Sequence, residues 1–357
     1  MLNPPDKSSR QIAIWLLIGV AMIIIQVMLG GITRLTESGL SITEWKPLTG
    51  ILPPLNITQW QAEFDKYKGT DQFRYIHADF SLQDFKFIFF WEWFHRLWAR
   101  LLGVVFLVGF IYFLLRRKFK SKMIIPMIIL FLLGALQGLV GWIMVESGLV
   151  PEKLFVGHIQ LATHFIAALI LLCYTFWFAL SLLVPKEKRI INSVLKNITT
   201  GILVLLFIQL VYGAFMSGLK AATAAPTWPH INGMIIPDQI NNLSPGWKNL
   251  VDNKITVQFI HRTLAYLLTL FVFVWWMKAI KIKGSDLFEK TKWLPLIFIL
   301  LQVILGILTV INSPYGNRLM WFGIAHQFAA ILFLLSIIWM FFLLKKSFTG
   351  NAKQDIQ

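Results

Sequence analysis

Four histidines lie near the starts of four alternate apolar segments of the sequence: His95, His164, His261 and His326. His164 follows His95 by 69 residues and His326 follows His261 by 65, so the chain supplies two histidine pairs of nearly equal spacing. A lone histidine in an apolar helix is usually a hydrogen-bonded packing residue. Two repeated pairs at a similar distance from the start of their segments favour cofactor ligation instead, because neutral imidazole is a strong metal ligand and facing helices of a bundle hold cofactors.

The chemistry of these pairs favours haem over zinc. The pattern contains no Cys, Asp or Glu that completes a tetrahedral zinc set around either pair. Two axial imidazoles in an apolar, aromatic-rich space suit haem, whose macrocycle supplies four in-plane nitrogens. The other histidines are predicted to be surface or structural residues, since His77 and His230 lie in loops and His158 lies about 240° around the helix from His164.

The two pairs differ in the residue three positions before the first histidine. Glu92 precedes His95, and Gln258 precedes His261, and this spacing places each side chain beside its histidine. A buried acid beside a cofactor can carry a proton, whereas an amide can only hydrogen-bond. The first half is therefore predicted to do the chemistry, and the second half to hold an auxiliary cofactor.

Three arginines close to these histidines admit two interpretations. Arg96, Arg100 and Arg262 could neutralise the propionates of haem, or they could extend to the membrane interface. Glu92 and Arg96 are also spaced i, i+4, so an ion pair that leaves Glu92 with a purely structural role is the alternative to proton transfer.

The segments that carry these residues are too apolar for a soluble protein. Of the 357 residues, 57% are hydrophobic and 14% are charged, against roughly 45–50% and 25% in soluble domains. Charge-poor runs long enough to cross a bilayer as helices predict an all-α integral membrane protein. The eight predicted spans are 12–33, 87–115, 123–145, 154–184, 198–219, 255–277, 293–312 and 319–344.

A repeated motif divides these spans into two halves. Each odd-numbered span contains Gln-x-x-x-Gly, at Gln26 and Gly30, Gln137 and Gly141, Gln209 and Gly213, and Gln302 and Gly306. Such a repeat indicates duplication and predicts two pseudo-symmetric four-helix bundles. Residues 1–190 would carry the catalytic site and a long outer loop at 34–86, and residues 191–357 the second cofactor and an outer loop at 220–254. The motif itself is interpreted as a packing seam, in which glycine permits close approach and the amide hydrogen-bonds across helices.

The net charge of +16 is interpreted through membrane topology. Most of the Lys and Arg lie at the N-terminus, in the loops after spans two, four and six, and in the tail, whereas the short opposite loops hold only Lys153 and Arg318. Both termini are therefore predicted to be cytoplasmic, and this distribution argues against nucleic-acid binding. The first run lacks a signal-peptide cleavage pattern and no transit peptide precedes it, which favours the bacterial cytoplasmic (inner) membrane.

Over nearly its whole length the sequence resembles the haem A synthase family. The resemblance rests on GGITRLTESGLSITEW (Gly30 to Trp45), FKFIFFWEWFHRLWARLLG (Phe85 to Gly103), QGLVGWIMVESGL (Gln137 to Leu149), LATH ending at His164, VQFIHR ending at Arg262, and AHQ (Ala325 to Gln327). The first outer loop lacks the cysteine pair of some members. In this respect the chain is similar to the cysteine-free branch found in mitochondria and several bacterial groups.

This resemblance implies oxidation of the C8 methyl of haem O to a formyl group, by successive hydroxylation and loss of water, which yields haem A. It places the substrate-side histidines at His95 and His164, the catalytic acid at Glu92, and the ligands of a haem b at His261 and His326. It also implies association with the haem O synthase that supplies the substrate. Besides membrane lipid, a second copy of the chain is a candidate partner.

Two other classes of function share parts of the pattern. A bis-His di-haem b electron carrier linked to quinone would use the same four histidines and leave Glu92 without a chemical role. A transporter is also often duplicated, but it is expected to have discontinuous helices, and Gly and Pro do not break matching spans here. Cys173 is interpreted as a small buried residue, and the segment from Arg34 to Trp45 either caps the first site or is structural.

Overall fold

The chain folds almost entirely into helices that run back and forth across the molecule. The structure, a computed structural model, describes residues 6–44 and 49–345; Trp45 of the loop motif lies outside these ranges. Within them, eight helical segments are long and apolar enough to cross a membrane, so the predicted all-α multi-pass membrane protein is confirmed. The spanning helices are α1 (Lys7–Leu35), α4 (Leu82–Leu115), α5 (Ser121–Glu146), α6 (His158–Leu183), α7 (Ser193–Gly218), α8 (Lys254–Ala279), α10 (Leu294–Ile311) and α11 (Gly316–Leu343).

The helix ends differ from the predicted spans by a few residues because polar caps, and not hydropathy, set them. At α4, Ser81 and Asp84 form a reciprocal capping box that starts the helix at Leu82. Asn192 caps α7 by accepting a hydrogen bond from the backbone N–H of Leu195, so this helix begins five residues earlier than its predicted span. A short surface helix, α9 (Asp286–Thr291), precedes α10.

The eight helices pack in an order that follows the two sequence halves. In the first half, α1 packs against α4 and α6, and α5 packs against α6; in the second half, α7 packs against α8, and α10 packs against α8 and α11. The halves meet where α1 and α6 contact α7 and α11. The division at residues 190 and 191 and the pseudo-symmetry of the two bundles stay predictions.

The long first outer loop is itself structured. It contains α2 (Ile57–Lys68) and α3 (Asp71–Ile76), whose aromatic side chains pack on the start of α4. Tyr67 and Phe85 are fully buried there, and their rings stack with centroids 5.4 Å apart. This layer places the segment between Glu37 and Glu44 above α4 and beside the first histidine pair.

At the opposite end of the molecule the two halves are joined by backbone. The linker between α6 and α7 contains β1 (Ile190–Ile191), which pairs in parallel with β2 (Leu344–Lys345) directly after α11. The backbone N–H of Asn192 extends this pairing by donating to the carbonyl oxygen of Lys345 at 3.0 Å.

Candidate functional site

All four sequence-predicted histidines line one internal cavity. The cavity has a volume of about 1060 Å³, and Glu92, Arg96 and Arg262 also line it. Most of its wall is apolar and comes from the eight spanning helices. A large apolar cavity with a few convergent polar groups is the usual form of a cofactor or substrate site.

Each histidine ring lies against the glycine of the Gln-x-x-x-Gly motif on the preceding spanning helix. A Cβ placed on Gly30 would lie 3.4 Å from Nε2 of His95, and one placed on Gly213 would lie 3.4 Å from Cε1 of His261. The same construction gives 3.0 Å between Gly141 and Cε1 of His164, and 2.9 Å between Gly306 and Cε1 of His326. The motif permits close approach, as predicted, but what approaches is an imidazole ring rather than a helix backbone.

The glutamine of the motif also contacts the histidine of the next spanning helix in three cases, twice at the imidazole ring and once at the backbone. Nε2 of Gln209 lies 3.4 Å from Nε2 of His261, and Nε2 of Gln302 lies 3.3 Å from Nε2 of His326. Gln26 instead donates from Nε2 to the backbone carbonyl oxygen of His95 at 3.2 Å. The predicted hydrogen bonds across helices are therefore present at three of the four motifs, whereas Nε2 of Gln137 is buried without a partner.

The second histidine pair has the separation that a shared metal requires. The ring centroids of His261 and His326 lie 6.4 Å apart, with an angle of 75° between the planes. Two metal–nitrogen bonds of about 2 Å, with two imidazole rings beyond them, need roughly 6 Å between centroids. Nδ1 of His326 lies 3.1 Å from the carbonyl oxygen of Gln302, the contact that orients a ligating imidazole with Nε2 toward the metal.

Unpartnered polar atoms in the cavity also fit a haem. Nδ1 of His164 and Nδ1 of His261 are buried without a hydrogen-bond partner, as are the Oε1 atoms of Gln209 and Gln302. Among the described residues, no three His, Cys, Asp or Glu side chains converge as a protein-only metal site would need. Two facing imidazoles in an apolar cavity suit a cofactor that brings its own in-plane ligands.

Glu92 is buried and fully hydrogen-bonded. Its Oε1 accepts from Arg96 at 2.6 Å, and its Oε2 accepts from Oγ of Ser41 at 2.7 Å and from the backbone N–H of Ile42 at 2.8 Å. Arg96 also donates to the carbonyl oxygen of Ile42 at 3.1 Å. The ion pair considered as an alternative is thus formed, and together the two side chains bind the outer loop to α4 beside His95.

Gln258 and Arg262 make the corresponding contacts in the second half. Nε2 of Gln258 donates to the carbonyl oxygen of Ala225 at 3.0 Å, and Arg262 donates to the carbonyl oxygen of Thr227 at 2.8 Å. The amide therefore donates to a loop carbonyl, whereas Glu92 accepts from a loop N–H. In both halves the pair fastens an outer loop over the histidines, and the Nε atom of Arg262 is left without a partner.

A second charged cluster, not predicted from the sequence, joins the halves at the outer end. Glu37 pairs with Lys220, which follows α7, and Oε2 of Glu37 lies 3.5 Å from Nε2 of His77. Nδ1 of His77 lies 2.6 Å from the hydroxyl of Tyr67. The contact with His77, aided by Lys220 and opposed by burial, lowers the pKa of Glu37 to about 2.

The remaining histidines are surface or structural residues, as predicted, and His230 is exposed. His77 is buried and stacks on Phe80 with centroids 3.9 Å apart. His158 does not line the cavity and lies 3.2 Å from Asp252.

The Glu37 cluster has only one local sign in the sequence, the segment TESG that contains Glu37. The partner of Glu37, Lys220, lies 183 residues away, so motif spacing cannot connect the two residues.

Comparison with known proteins agrees with these features. The family described as cytochrome oxidase assembly protein matches residues 13–338. Relatives named heme A synthase include one from Wolbachia pipientis wMel, 40% identical over 343 residues, covering 95% of this chain and 94% of the relative. Another, from Rhodopseudomonas palustris (strain TIE-1), is 42% identical over 335 residues, covering 93% and 88%. The chain therefore belongs to the haem A synthase family of cytochrome oxidase assembly proteins.

Proposed function

We propose that this chain is a haem A synthase, a membrane oxidoreductase that converts the C8 methyl of haem O to a formyl group by successive hydroxylations and loss of water. The carrying observation is the set of four imidazoles, each lying against a motif glycine around one apolar cavity. The relatives bearing the name of this activity match nearly the full length of the chain.

The substrate haem is assigned to the N-terminal half. His95 and His164 would hold its iron, and the loop fastened by Glu92 and Arg96 would close the site on the outer side. Glu92 lies on α4, one turn before His95, and can exchange a proton, whereas its amide counterpart Gln258 cannot. A proton taken up at Oε2 would compete with the hydrogen bonds from Ser41 and Ile42, so proton transfer at Glu92 would be coupled to the position of the loop.

A resident haem b is assigned to the C-terminal half. His261 and His326 would hold it, and it would supply one-electron transfer away from the substrate. The backbone carbonyl of Gln302 would orient His326 through Nδ1, and the Nε2 atoms of both histidines would turn from the amides of Gln209 and Gln302 to the iron. Arg262 lies at the cavity wall with its Nε atom available to a propionate. The second half would therefore provide an electron path, with the amide of Gln258 in place of the acid Glu92.

The charge distribution supports a membrane location and orientation for the enzyme, and the substrate supports its partners. We place the chain in the bacterial cytoplasmic (inner) membrane with both termini in the cytoplasm. Because haem O is insoluble in water, a haem O synthase is the proposed partner, and a second copy of the chain is a further candidate.

Analysis of the haems produced in cells distinguishes the synthase from the electron-carrier alternative. The chain is expressed in a host that makes haem O but no haem A, and the haems are extracted and separated by chromatography. Haem A appearing only in cells with this chain supports the synthase. A bis-His carrier would add haem b and leave the haem O pool unchanged.

A further inference from the structure

The cavity reaches further into the first half than into the second. On α1 the cavity extends from Gln26 toward the N-terminal end of the helix as far as Trp15, eleven residues away. On α7 it extends from Gln209 only as far as Leu206, three residues away. At 1.5 Å per residue these depths are about 16 Å and about 4 Å. The same asymmetry recurs on α5 and α10, where the cavity ends at Leu130 and at Ile299.

Three glycines widen the cavity in the first half. Gly103 on α4, with Gly134 and Gly138 on α5, line the cavity, and a Cβ on any of them would meet nothing within 4 Å. Counted from the histidine or the motif glutamine, the second half carries larger residues at these positions: Thr269, Ile299 and Val303.

Helix packing follows the same difference. In the second half α8 packs against α10, and Leu268 and Ile299 are buried between them at 1% and 2% exposure. In the first half α4 and α5 do not pack against each other to this extent. Leu107 on α4 and Phe131 on α5 line the cavity and are still 52% and 61% exposed, so the cavity reaches the apolar outer surface between these two helices.

We infer that this extension, bounded by α1, α4, α5 and α6, binds the isoprenoid chain of the substrate haem, and that the gap between α4 and α5 is its lateral opening to the lipid. The inference rests on the proposed function. Haem O differs from haem b by a long isoprenoid side chain, and the deep extension occurs only in the half assigned to haem O. The shorter second half matches a haem without such a chain.

The test fills the extension with the residues of the second half. Gly134→Ile and Gly138→Val, singly and together, are purified with haem b in the C-terminal half and titrated with haem O or with additional haem b in detergent. Haem O uptake is expected to weaken by about tenfold or more, because a filled site must expel the chain or deform. Uptake of additional haem b at the first site should stay within about twofold of wild type.

Gly201→Val is the matched control. Gly201 is also a helical glycine with nothing within 4 Å of an added Cβ, and it does not line the cavity. The resident haem b spectrum reports folding of every variant, and Gly103→Thr tests the opposite wall if an α5 variant fails to fold. Unchanged haem O affinity in folded variants would overturn the inference, and so would equal loss of both haems.

The experiments distinguish failure of the synthase proposal from failure of the chain-binding proposal. If wild-type protein prefers haem O in this titration but cells expressing it accumulate no haem A, the activity is wrong and the chain-binding extension stands. If the filled variants still bind haem O tightly while wild-type cells make haem A, the extension is wrong and the activity stands.

Discussion

Gly306 of α10 and His326 of α11 are in such close contact that a Cβ on the glycine would lie 2.9 Å from Cε1 of the imidazole. This distance is shorter than real Cβ contacts allow, so the ring sits where only glycine leaves room. The same relationship joins Gly213 to His261 at 3.4 Å, where the space is less tight. The glycine thus fixes the position of the proposed haem b ligand.

Gly306→Val should therefore displace His326 and weaken the haem b spectrum strongly, since overpacking a well-packed interior typically costs about 1–3 kcal/mol. Gly213→Ala should retain more haem, because its neighbour is half an ångström further away. Reduced-minus-oxidised absorbance and the haem-to-protein ratio measure both. Full haem content in Gly306→Val would show that the glycine does not position the ligand.

Replacement of either second-half histidine is expected to remove the haem b signal. His261→Ala and His326→Ala each take away one of the two proposed haem b ligands, whereas His95→Ala leaves that pair intact and should keep the spectrum. An unchanged spectrum in His261→Ala would mean that the ligand pair is misassigned.

Glu92→Gln should leave haem b in place and reduce haem A formation to near background, because the amide keeps the shape of the side chain but cannot exchange a proton. Ser41→Ala is the control, since it removes one hydrogen bond to Glu92 and leaves the carboxylate and Arg96. Haem extraction from a haem O-producing host measures both. Full haem A yield from Glu92→Gln would remove the catalytic assignment and leave the residue as a loop anchor.

The Glu37 cluster predicts a defined dependence of stability on pH. Its folded pKa of about 2 lies below the usual value of 4.5, so the stabilisation is present above about pH 4.5 and is lost as the pH falls toward 2. Glu37→Gln should cost on the order of 2 kcal/mol near neutral pH, after allowance for partial exposure. The difference in Tm between the variant and wild type in detergent should shrink as the pH is lowered through this window. A constant difference would contradict the assignment.

Sequence reasoning located the spans and the four histidines because both depend on local regularities. A bilayer demands about 20 apolar residues, and a ligand pair repeated by duplication keeps its spacing. The motif glycines were assigned to helix packing, since an i, i+4 pattern shows which residues share a face but not what lies opposite. The contact of Gly30 with His95 needed the three-dimensional arrangement.

The loops could not be predicted in the same way. The i, i+4 spacing predicts the ion pair of Glu92 with Arg96, but their binding of Ser41 and Ile42 depends on how an outer loop folds back. Lys220 pairs with Glu37 from the other half of the chain, 183 residues away, so no local spacing connects the two residues. Long-range polar contacts of this kind carry no periodic signal.

The two halves are fastened to each other at both ends of the molecule. Glu37 and Lys220 join them on the outer side, and the β1–β2 pairing of Ile190 with Leu344 joins them on the other. Duplicated transporters work by rocking one half against the other, which needs one end to open while the other closes. With both ends tied, the contacts oppose such rocking, so the two proposed haem sites would keep a constant separation, and substrate exchange would use the opening proposed between α4 and α5.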